Sequence, residues 1–397
     1  MKTVLTKLFS DFFNGEKAGG FILIACTILS LIIANSNIGE AYLQSWHHIV
    51  GYENNHIHLR HTFEFWINDG LMAIFFLLVG LEIEREIYIG ELSTFKNASL
   101  PFFAAVGGML TPAVIHFIIN NGSATQPGFG IPMATDIAFA LGILSLLGNR
   151  VPASLKIFLT AFAIIDDLGA IIIIALFYTE TFSLLYFAIA IAIFCLLLVF
   201  NRLKIRNLFM YLIPGVCMWY CMLQSGVHAT VSGVLLAFVI PFGNGDENSP
   251  SYKLQHFLHK PVAFIILPLF ALANTGIVFK QGWYNQLGTK NGLGIMLGLI
   301  AGKPLGIFLF AYAAVKLKIS SLSEDINWKL ILGAGLLGGI GFTMSIFITL
   351  LAFSDMQTIT DSKMTILFSS AFAGIAGFIF LRLSLKKQAV KVEGGAN

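Results

Sequence analysis

Charged residues are scarce in this chain of 397 residues, at 11%, whereas an ordinary soluble protein has roughly 25%. Hydrophobic residues make up 57% of the chain, and Phe alone occurs 37 times. So apolar a chain cannot cover itself with polar surface, which excludes an ordinary soluble enzyme. A helical membrane protein is favoured, because each spanning helix satisfies its own backbone hydrogen bonds in lipid.

A strong excess of one charge is also missing, since 24 Lys and Arg face 21 Asp and Glu. That balance gives no indication of a nucleic-acid partner. Cysteines are few and lie in apolar segments without CxxC spacing, which argues against disulfides and metal sites; they are Cys26, Cys195, Cys217 and Cys221. The N-terminal stretch carries Asp11 and Glu16 and lacks an uncharged core followed by a cleavage site, so no removable signal peptide is expected.

Long apolar runs, in contrast, recur along the whole chain. The sequence predicts about twelve transmembrane helices in a single membrane domain over residues 1–397, with no separate soluble domain. Their predicted limits are 18–36, 65–85, 100–118, 130–148, 156–178, 183–200, 207–222, 226–241, 261–279, 292–315, 330–353 and 364–383.

The basic residues orient these spans. If both termini are cytoplasmic, most Lys and Arg fall in the inner tails and loops, whereas the outer loops hold Arg60, Lys280, Lys290 and Lys363. Inner loops of membrane proteins carry this excess of positive charge. The sequence therefore predicts a multi-pass protein of the inner membrane with cytoplasmic termini.

The longest outer connection is residues 37–64, which is rich in His and aromatic residues. It is either an ordinary surface loop or a small β-hairpin, with "YENNH" at its tip, that pairs with a second protomer. Its histidines, His47, His48, His56 and His58, are irregularly spaced, so metal binding there is the weakest interpretation.

Four ionisable residues lie well inside the predicted spans: Asp136, Asp166, Asp167 and Lys303. Each costs about 2.5–3.5 kcal/mol at the bilayer centre, and the total is on the order of the net stability of a whole domain. Ionisable residues kept at such a cost favour an ion or proton pathway through the membrane. The alternative, a buried ion pair that fixes helix packing, explains one Asp with Lys303 and leaves two carboxylates unexplained.

The adjacent pair Asp166 and Asp167 stands in the apolar stretch "AIIDDLGAIIIIA". Successive helix residues point about 100° apart, so the two carboxylates cannot face one partner. We expect Asp166 to pair with Lys303 and Asp167 to face the transported ion. A proton and a hard cation then compete for the same carboxylate oxygens, which is the chemistry of an antiporter.

Two stretches predict breaks in spanning helices. Gly128, Gly130 and Pro132 precede Thr135 and Asp136, where a broken helix would present its ends and carbonyls to a cation. The second stretch contains Gly338, Gly339 and Gly341, which indicate either a break or close packing through small residues. Between them, a row of glycines forms a smooth helix face; its members are Gly294, Gly298, Gly302 and Gly306.

Seven stretches of the chain, in order, carry a family resemblance: "FFLLVGLEIERE", "IPMATDIAFALG", "AIIDDLGAIIIIALFYT", "SGVHAT", "LPLFALANTG", "GKPLGI" and "GGIGFTMSIFI". The chain closely resembles the bacterial NhaA-type sodium/proton antiporters along nearly its full length. The resemblance implies an all-α membrane protein of twelve transmembrane helices with inverted-topology repeats, helices 3–5 against 10–12. It also implies two broken helices, 4 and 11, that cross at mid-membrane.

The resemblance further implies a function. It is pH-regulated, electrogenic export of Na+ or Li+ in exchange for more than one external H+, by a homodimer without a cofactor. Asp166 and Asp167 match the family's aspartate pair, with Asp167 as the central carrier, and Lys303 matches the charge partner of Asp166. Thr135 and Asp136 match the residues that compensate the ends of the broken helix.

Residues for the pH response also follow from the resemblance: Glu82, Arg85, Glu86 and His228. By themselves, the three residues of "GLEIERE" read as an ordinary charged helix end, and a lone membrane histidine is more often structural. Gln255 stands where the family pattern has an acidic residue. Since glutamine cannot titrate, we expect a pH profile that is shifted or shallower than the family norm.

Two other transport functions compete with this interpretation: an ion-coupled organic-solute transporter of the same inverted-repeat plan, and an ion channel. An enzyme has the least support, because the sequence lacks HExxH and GxSxG-type motifs.

Overall fold

The computed structural model describes residues 2–54, 58–179 and 182–393, and the described chain is mostly helical. The α-helices are α1 (Lys2–Ala34), α2 (Gly39–Trp46), α3 (Phe63–Phe65), α4 (Met72–Tyr88), α5 (Phe95–Ile119), α6 (Ile137–Ser145), α7 (Ala153–Phe177), α8 (Leu184–Arg202), α9 (Phe209–Ser225), α10 (Val231–Val239), α11 (Pro250–Pro261), α12 (Leu267–Asn274), α13 (Lys290–Leu297), α14 (Lys303–Lys316), α15 (Trp328–Gly338), α16 (Phe342–Ala352) and α17 (Met356–Glu393).

Shorter helical segments join several of these helices. The 3-10 segments are Glu91–Ser93, Gln126–Met133, Gly148–Arg150 and Trp283–Gly288, and the π segments are Trp66–Leu71, Val262–Ile266 and Gly298–Gly302. The π segments continue into α4, α12 and α14, so each makes one long span with an irregular turn.

Among the described residues, 8 helices are long and apolar enough to cross a membrane, and two bent pairs bring the number to 10. The bent pairs are Ala18–Ala34 with Gly39–Trp46, at 119°, and Trp328–Gly338 with Phe342–Ala352, at 46°. The predicted spans 207–222 and 226–241 coincide with the shorter helices α9 and α10. All twelve predicted segments therefore coincide with helices.

Several predicted boundaries are wrong: the span expected at 261–279 ends as a helix at Asn274, and the span expected at 364–383 lies in a helix that begins at Met356. The span expected at 226–241 begins as a helix only at Val231. Gly226 ends α9 with φ +81, a left-handed conformation that glycine adopts without steric cost, and the chain then makes a turn at Ala229 and Thr230.

The chain divides into two compact units. Unit 1 comprises Met1–Phe21, Glu91–Ala170 and Lys280–Asn397, and unit 2 comprises Ile22–Gly90 and Ile171–Phe279. The interpretation of residues 1–397 as a single membrane domain stays a prediction.

Unit 1 contains the same order of helices twice: a long helix, a broken helix and another long helix. In the first set, α5 is followed by the segment Gln126–Met133 with α6 and then by α7. In the second, α13 and α14 are followed by α15 with α16 and then by α17. On the twelve predicted spans, the first set begins at span 3 and the second at span 10, which would place their starts on opposite sides of the membrane. This is the predicted inverted-topology plan.

Within unit 1, the predicted glycine row does pack against another helix. A Cβ at Gly302 would lie 2.8 Å from Ile115 of α5, and one at Gly298 would lie 2.6 Å from Pro132. Real side chains do not approach so closely, so the backbones meet here only because the row has no side chains.

The loop of residues 37–64 in unit 2, predicted to be external, contains a β-hairpin, which was one of the two alternatives. Strand β1 (Ile49–Val50) pairs antiparallel with β2 (His61–Thr62), with Ile49 opposite Thr62, and Glu53 bridges to His58. His56 lies outside the described residues. Pairing of the hairpin with a second protomer stays a prediction.

Candidate cation and proton site

The aspartate pair lies in α7 and belongs to the part of this helix in unit 1. The apolar sequence on both sides forms one continuous helix, and the two side chains are buried, Asp166 at 0% and Asp167 at 3% exposure. Two adjacent carboxylates without water require compensation from neighbouring elements.

Lys303 supplies that compensation. This lysine is the first residue of α14, and its Nζ lies 2.6 Å from Oδ2 of Asp166, with both side chains 0% exposed. The ammonium also donates to the backbone carbonyl of Met133, and its charge acts on Asp167 as well. The predicted pairing of Lys303 with Asp166 is confirmed.

The first broken helix supplies the Met133 carbonyl. Its 3-10 segment ends at Met133, and the backbone is extended through Ala134 and Asp136 before α6 begins at Ile137. Pro132 lacks an N–H and so cannot donate the hydrogen bond that would continue a regular α-helix here. The break therefore leaves one carbonyl end and one amide end inside unit 1, as the sequence predicted.

Asp136 compensates the amide end of this break. It is the N-cap of α6, and its Oδ1 accepts from the N–H of Phe139 at 2.9 Å. Its Oδ2 accepts from both the N–H (3.1 Å) and the hydroxyl (2.6 Å) of Thr343, at the start of α16. A carboxylate at two helix N-termini is stabilised by both helix dipoles.

The second break, between α15 and α16, crosses the first. The N–H of Asp136 donates to the carbonyl of Ile340 at 2.6 Å, and the Thr135 hydroxyl donates to the carbonyl of Gly338 at 2.8 Å. Ser345 donates its hydroxyl to the carbonyl of Ile131 at 2.6 Å. The crossing of two broken helices is therefore confirmed, and the glycines at 338–341 mark a break.

The site can hold a hard cation through oxygen atoms. Oδ1 of Asp166 is buried and accepts no hydrogen bond within the described ranges, although Thr135 lies close to this carboxylate. Carboxylate oxygens and helix-end carbonyls are the ligands that hard cations prefer. No group of three or more His, Cys, Asp or Glu converges in the part of the chain that is described.

The model of the family described as Na+/H+ antiporter 1 matches residues 10–381. The chain belongs to this family. Its relatives named Na(+)/H(+) antiporter NhaA include one from Flavobacterium psychrophilum, 60% identical over 98% of this chain and 99% of the relative. Another, from Dechloromonas aromatica, is 59% identical over 96% of this chain and 97% of the relative.

A more distant relative of the same name, from Vibrio cholerae, is 47% identical over 96% of this chain and 99% of its own length. The chain is also similar to the solved structure of the sodium proton antiporter MjNhaP1 from Methanocaldococcus jannaschii. That likeness has a TM-score of 0.54 at 16% identity and covers 96% of this chain and 99% of that chain. At this identity it concerns the fold alone, and it agrees with a multi-pass membrane protein.

The residues that the family resemblance links to pH lie in unit 2. Glu82 is buried in α4, and Arg85 pairs with Glu86 at 2.8 Å. His228 lies in the turn before α10, where its Nε2 is 2.6 Å from the carbonyl oxygen of Tyr178 and therefore carries the hydrogen. Their roles in this antiporter stay predictions.

Sequence reasoning missed several polar residues. Thr343 and Ser345 follow the second break directly, and a search for hydroxyls next to predicted breaks would have found them. Glu84 is buried in α4 and accepts from the Ser251 hydroxyl at 3.1 Å. His116, in the apolar run of α5, is 0% exposed. Its position as a lone histidine within a predicted span is the sequence feature that could have identified it.

Proposed function

We propose that this antiporter exchanges intracellular Na+ or Li+ for external H+ at the pair Asp166 and Asp167. The observation that carries the proposal is the buried Lys303–Asp166 pair with Asp167 beside it in one helix. Family membership over residues 10–381 supports the exchanged ions.

In the proposed cycle, Na+ binds to Asp167 and Asp166 and displaces protons. A cation that approaches Asp166 competes with the Lys303 ammonium, which then releases one proton, while Asp167 releases another. Two protons for one Na+ make the exchange electrogenic. Because binding of the cation displaces both protons, the carrier never moves Na+ and H+ in one direction.

Thr135 and Asp136 serve this cycle by position. In our proposal, the negative charge of Asp136 compensates the N-termini of α6 and α16, and the Thr135 hydroxyl donates to a carbonyl at the end of α15. These two interactions keep the ends of both broken helices next to the bound cation. A change at either residue then alters ion affinity more than the exchange itself.

The proposal includes placement and regulation. Both termini lie in the cytoplasm and the protein spans the inner membrane, as the distribution of Lys and Arg favours. The hairpin in residues 37–64 joins two protomers, and Glu82, Arg85, Glu86 and His228 set the pH response. The protein is a transporter and not an enzyme; Na+, Li+ and H+ are substrates, and no cofactor is required.

Everted membrane vesicles from cells without their own antiporters test the exchange. A proton gradient is established, then NaCl, LiCl or KCl is added, and a dye reports the change in ΔpH. We expect Na+ and Li+ to dissipate the gradient and K+ to leave it intact. Asp167→Asn abolishes the response, whereas Asp246→Asn, at an exposed loop carboxylate, is the matched control and retains it.

The competing functions give different results. A channel conducts Na+ without obligatory proton movement, so the gradient would change only with the membrane potential. A solute transporter would leave the gradient unchanged with any of the three cations. Either result, with correctly inserted protein, would overturn the proposal.

A further inference from the structure

His116 lies in α5, and its side chain is completely buried. Its Nε2 is 3.2 Å from Oδ1 of Asn291, whose Nδ2 donates to the Ser362 hydroxyl at 2.8 Å. The amide nitrogen of Asn291 donates to Ser362, so the amide oxygen is the atom that faces the ring. Because this oxygen can only accept a hydrogen bond, Nε2 of His116 carries the hydrogen. Nδ1 is then a basic nitrogen; it is buried and has no hydrogen-bond partner among the described residues.

The histidine belongs to a polar cluster, the His116 cluster, formed by His116, Asn120, Asn291 and Ser362. Asn120 donates to the carbonyl of Lys290 at 3.2 Å, and Ser362 donates to the carbonyl of Thr358 at 2.7 Å. The cluster therefore ties the end of α5 to the beginnings of α13 and α17. In the proposed topology, all three of these helix ends face the external side.

The cluster also holds the first broken helix. The Thr125 hydroxyl, just before the segment Gln126–Met133, donates to Oδ1 of Asn120 at 2.7 Å. A Cβ at Gly128 would lie 3.2 Å from Cε1 of His116, so the ring packs against the backbone of this segment. The last carbonyl of the segment, at Met133, is the one that binds Lys303.

A tightly packed layer separates His116 from Lys303. Gly294 lies beside the His116 ring, and Gly298 and Gly302 pack tightly against Pro132 and Ile115. From Gly294 to Lys303 the helix runs roughly 13 Å at 1.5 Å per residue. The 3-10 segment, which contacts the His116 ring at Gly128 and Lys303 at Met133, is therefore the link described between the two residues.

The charged groups around the ring come from two helices. Lys290 of α13 is exposed, Asp361 and the nearly buried Lys363 flank Ser362 in α17, and the exposed Asp355 caps α17. The segment Gln126–Met133 contributes no charged residue. None of the hydrogen-bond partners described for the ring is a carboxylate. A second proton on Nδ1 would therefore create a buried charge without a counter-charge in contact, which favours opening of the cluster.

We propose that His116 is a positioning residue of the exchange centre: in its neutral form it holds the segment Gln126–Met133, and a proton taken from the external side releases that hold. The ring gains one proton at Nδ1 when the cluster opens and returns it when the cluster closes. A low external pH thereby opens the external side of the protein, from which protons must enter the exchange centre. The inference rests on the proposed function and on the proposed topology.

Right-side-out vesicles allow the external pH to be varied while the internal pH is clamped. The rate of Na+ efflux is measured for the wild type, for His116→Gln, which can still donate to Asn291 but cannot titrate, and for Asn291→Leu, which breaks the cluster. His48→Gln, at an exposed external histidine of unit 2, is the matched control.

We expect the external proton concentration for half-maximal efflux to rise by about tenfold in His116→Gln, within the range of coupling between two distant sites, because a proton can no longer release the hold. Asn291→Leu shifts it in the opposite direction, because the broken cluster no longer holds the segment Gln126–Met133. His48→Gln leaves it unchanged, and the dependence on internal pH is retained in all variants. Identical external profiles for the wild type and His116→Gln would overturn the inference, as would a change confined to internal pH.

A second measurement reports the opening directly. In a background without the four cysteines, Ile131→Cys, at a completely buried residue of the 3-10 segment, is treated with a membrane-impermeant thiol reagent. Its labelling rate is divided by that of Ala124→Cys in the exposed loop, which corrects for thiolate formation. We expect the ratio to rise on external acidification and to lose this rise with His116→Gln. A ratio independent of pH in the wild type would contradict the proposal.

The two proposals fail separately. If Asp167→Asn retained exchange, the proposed function would be wrong whatever His116 did. If exchange depended on Asp167 but the His116 variants matched the wild type in both measurements, only the role of His116 would be wrong.

Discussion

Unit 1 contains two kinds of buried aspartate, and their surroundings differ. Both oxygens of Asp136 accept hydrogen bonds from the starts of α6 and α16, three in all. Asp166 shares one oxygen with Lys303, and its other oxygen accepts none among the described residues. A carboxylate saturated by helix ends is part of the framework, whereas one with an unused oxygen can take a cation.

The largest expected effect is at Asp167, the proposed carrier, which adjoins Asp166 in α7 and is compared here with Asp136. Asp167→Asn should reduce exchange to the background of vesicles without the protein, because an amide neither carries a proton nor balances Na+. Asp136→Asn should retain exchange with a raised KM, because the amide still accepts from one helix end. The measurement is the Na+ dependence of ΔpH collapse; equal loss in both variants would remove the distinction.

The next effect concerns the stability of the ion pair. Lys303→Met leaves Asp166 buried without its partner, and loss of one member of a buried pair costs about 3–5 kcal/mol. The double variant Lys303→Met with Asp166→Asn should recover much of that loss. Thermal denaturation of the purified protein in detergent checks this order; a double variant less stable than Lys303→Met alone would contradict it.

A smaller effect is expected at the crossing of the broken helices. Thr343→Val removes the hydroxyl at 2.6 Å from Asp136, and a hydrogen bond to a charged group contributes about 1.5–3 kcal/mol. We expect a raised KM for Na+ with exchange retained. Thr349→Val is the matched control, since that buried hydroxyl donates only within α16; an equal rise in both variants would refute the role of the crossing.

Gln255 gives a test outside unit 1. It is buried in α11, and Gln255→Glu should make the pH profile steeper or shift it, because a titratable group is restored. Exchange is followed across neutral and alkaline pH in both proteins. A wild-type profile already as steep as that of other family members would contradict the expectation.

The smallest effect is expected at Asp355. The Thr358 hydroxyl, which donates to Asp355, holds the pKa of this exposed carboxyl below its ordinary value of 3.8. Because the pKa is lower in the folded protein, the carboxylate stabilises the fold at pH values above its unfolded-state pKa. This stabilisation is lost as the pH falls through the folded-state pKa. Asp355→Asn should therefore leave the activity profile unchanged at neutral and alkaline pH, and a shift there would show a further role.

Local signals explain why most of the fold was predicted from sequence. Glycine and proline at 128–132 and 338–341 specify the two breaks through backbone chemistry alone, and the cost of a buried lysine required a partner such as Asp166. The turn residues of the loop 37–64 left two alternatives, an ordinary surface loop or a hairpin, and the structure has the hairpin. Each of these depends on residues close in sequence or on a charge balance that only a few residues can satisfy.

Contacts between distant residues were not predictable in the same way. The Thr343 hydroxyl and Asp136 are separated by 207 positions, and His116 and Asn291 by 175. Thr and Asn are common in membrane helices and make bonds within their own helix, so neither residue type identifies a remote partner. The late start of α10 was missed because the hydropathy of residues 226–230 does not reveal a turn.

The bond from the N–H of Asp136 to the carbonyl of Ile340 joins one broken helix to the other through main-chain atoms only. Substitution of a side chain cannot delete such a link, except by proline at position 136. Mutation can therefore retune the charges around the crossing while the two interrupted helices remain mechanically coupled. The side chains that bind the ion can therefore change in evolution, whereas the backbone link between the two broken helices is protected from most point mutations.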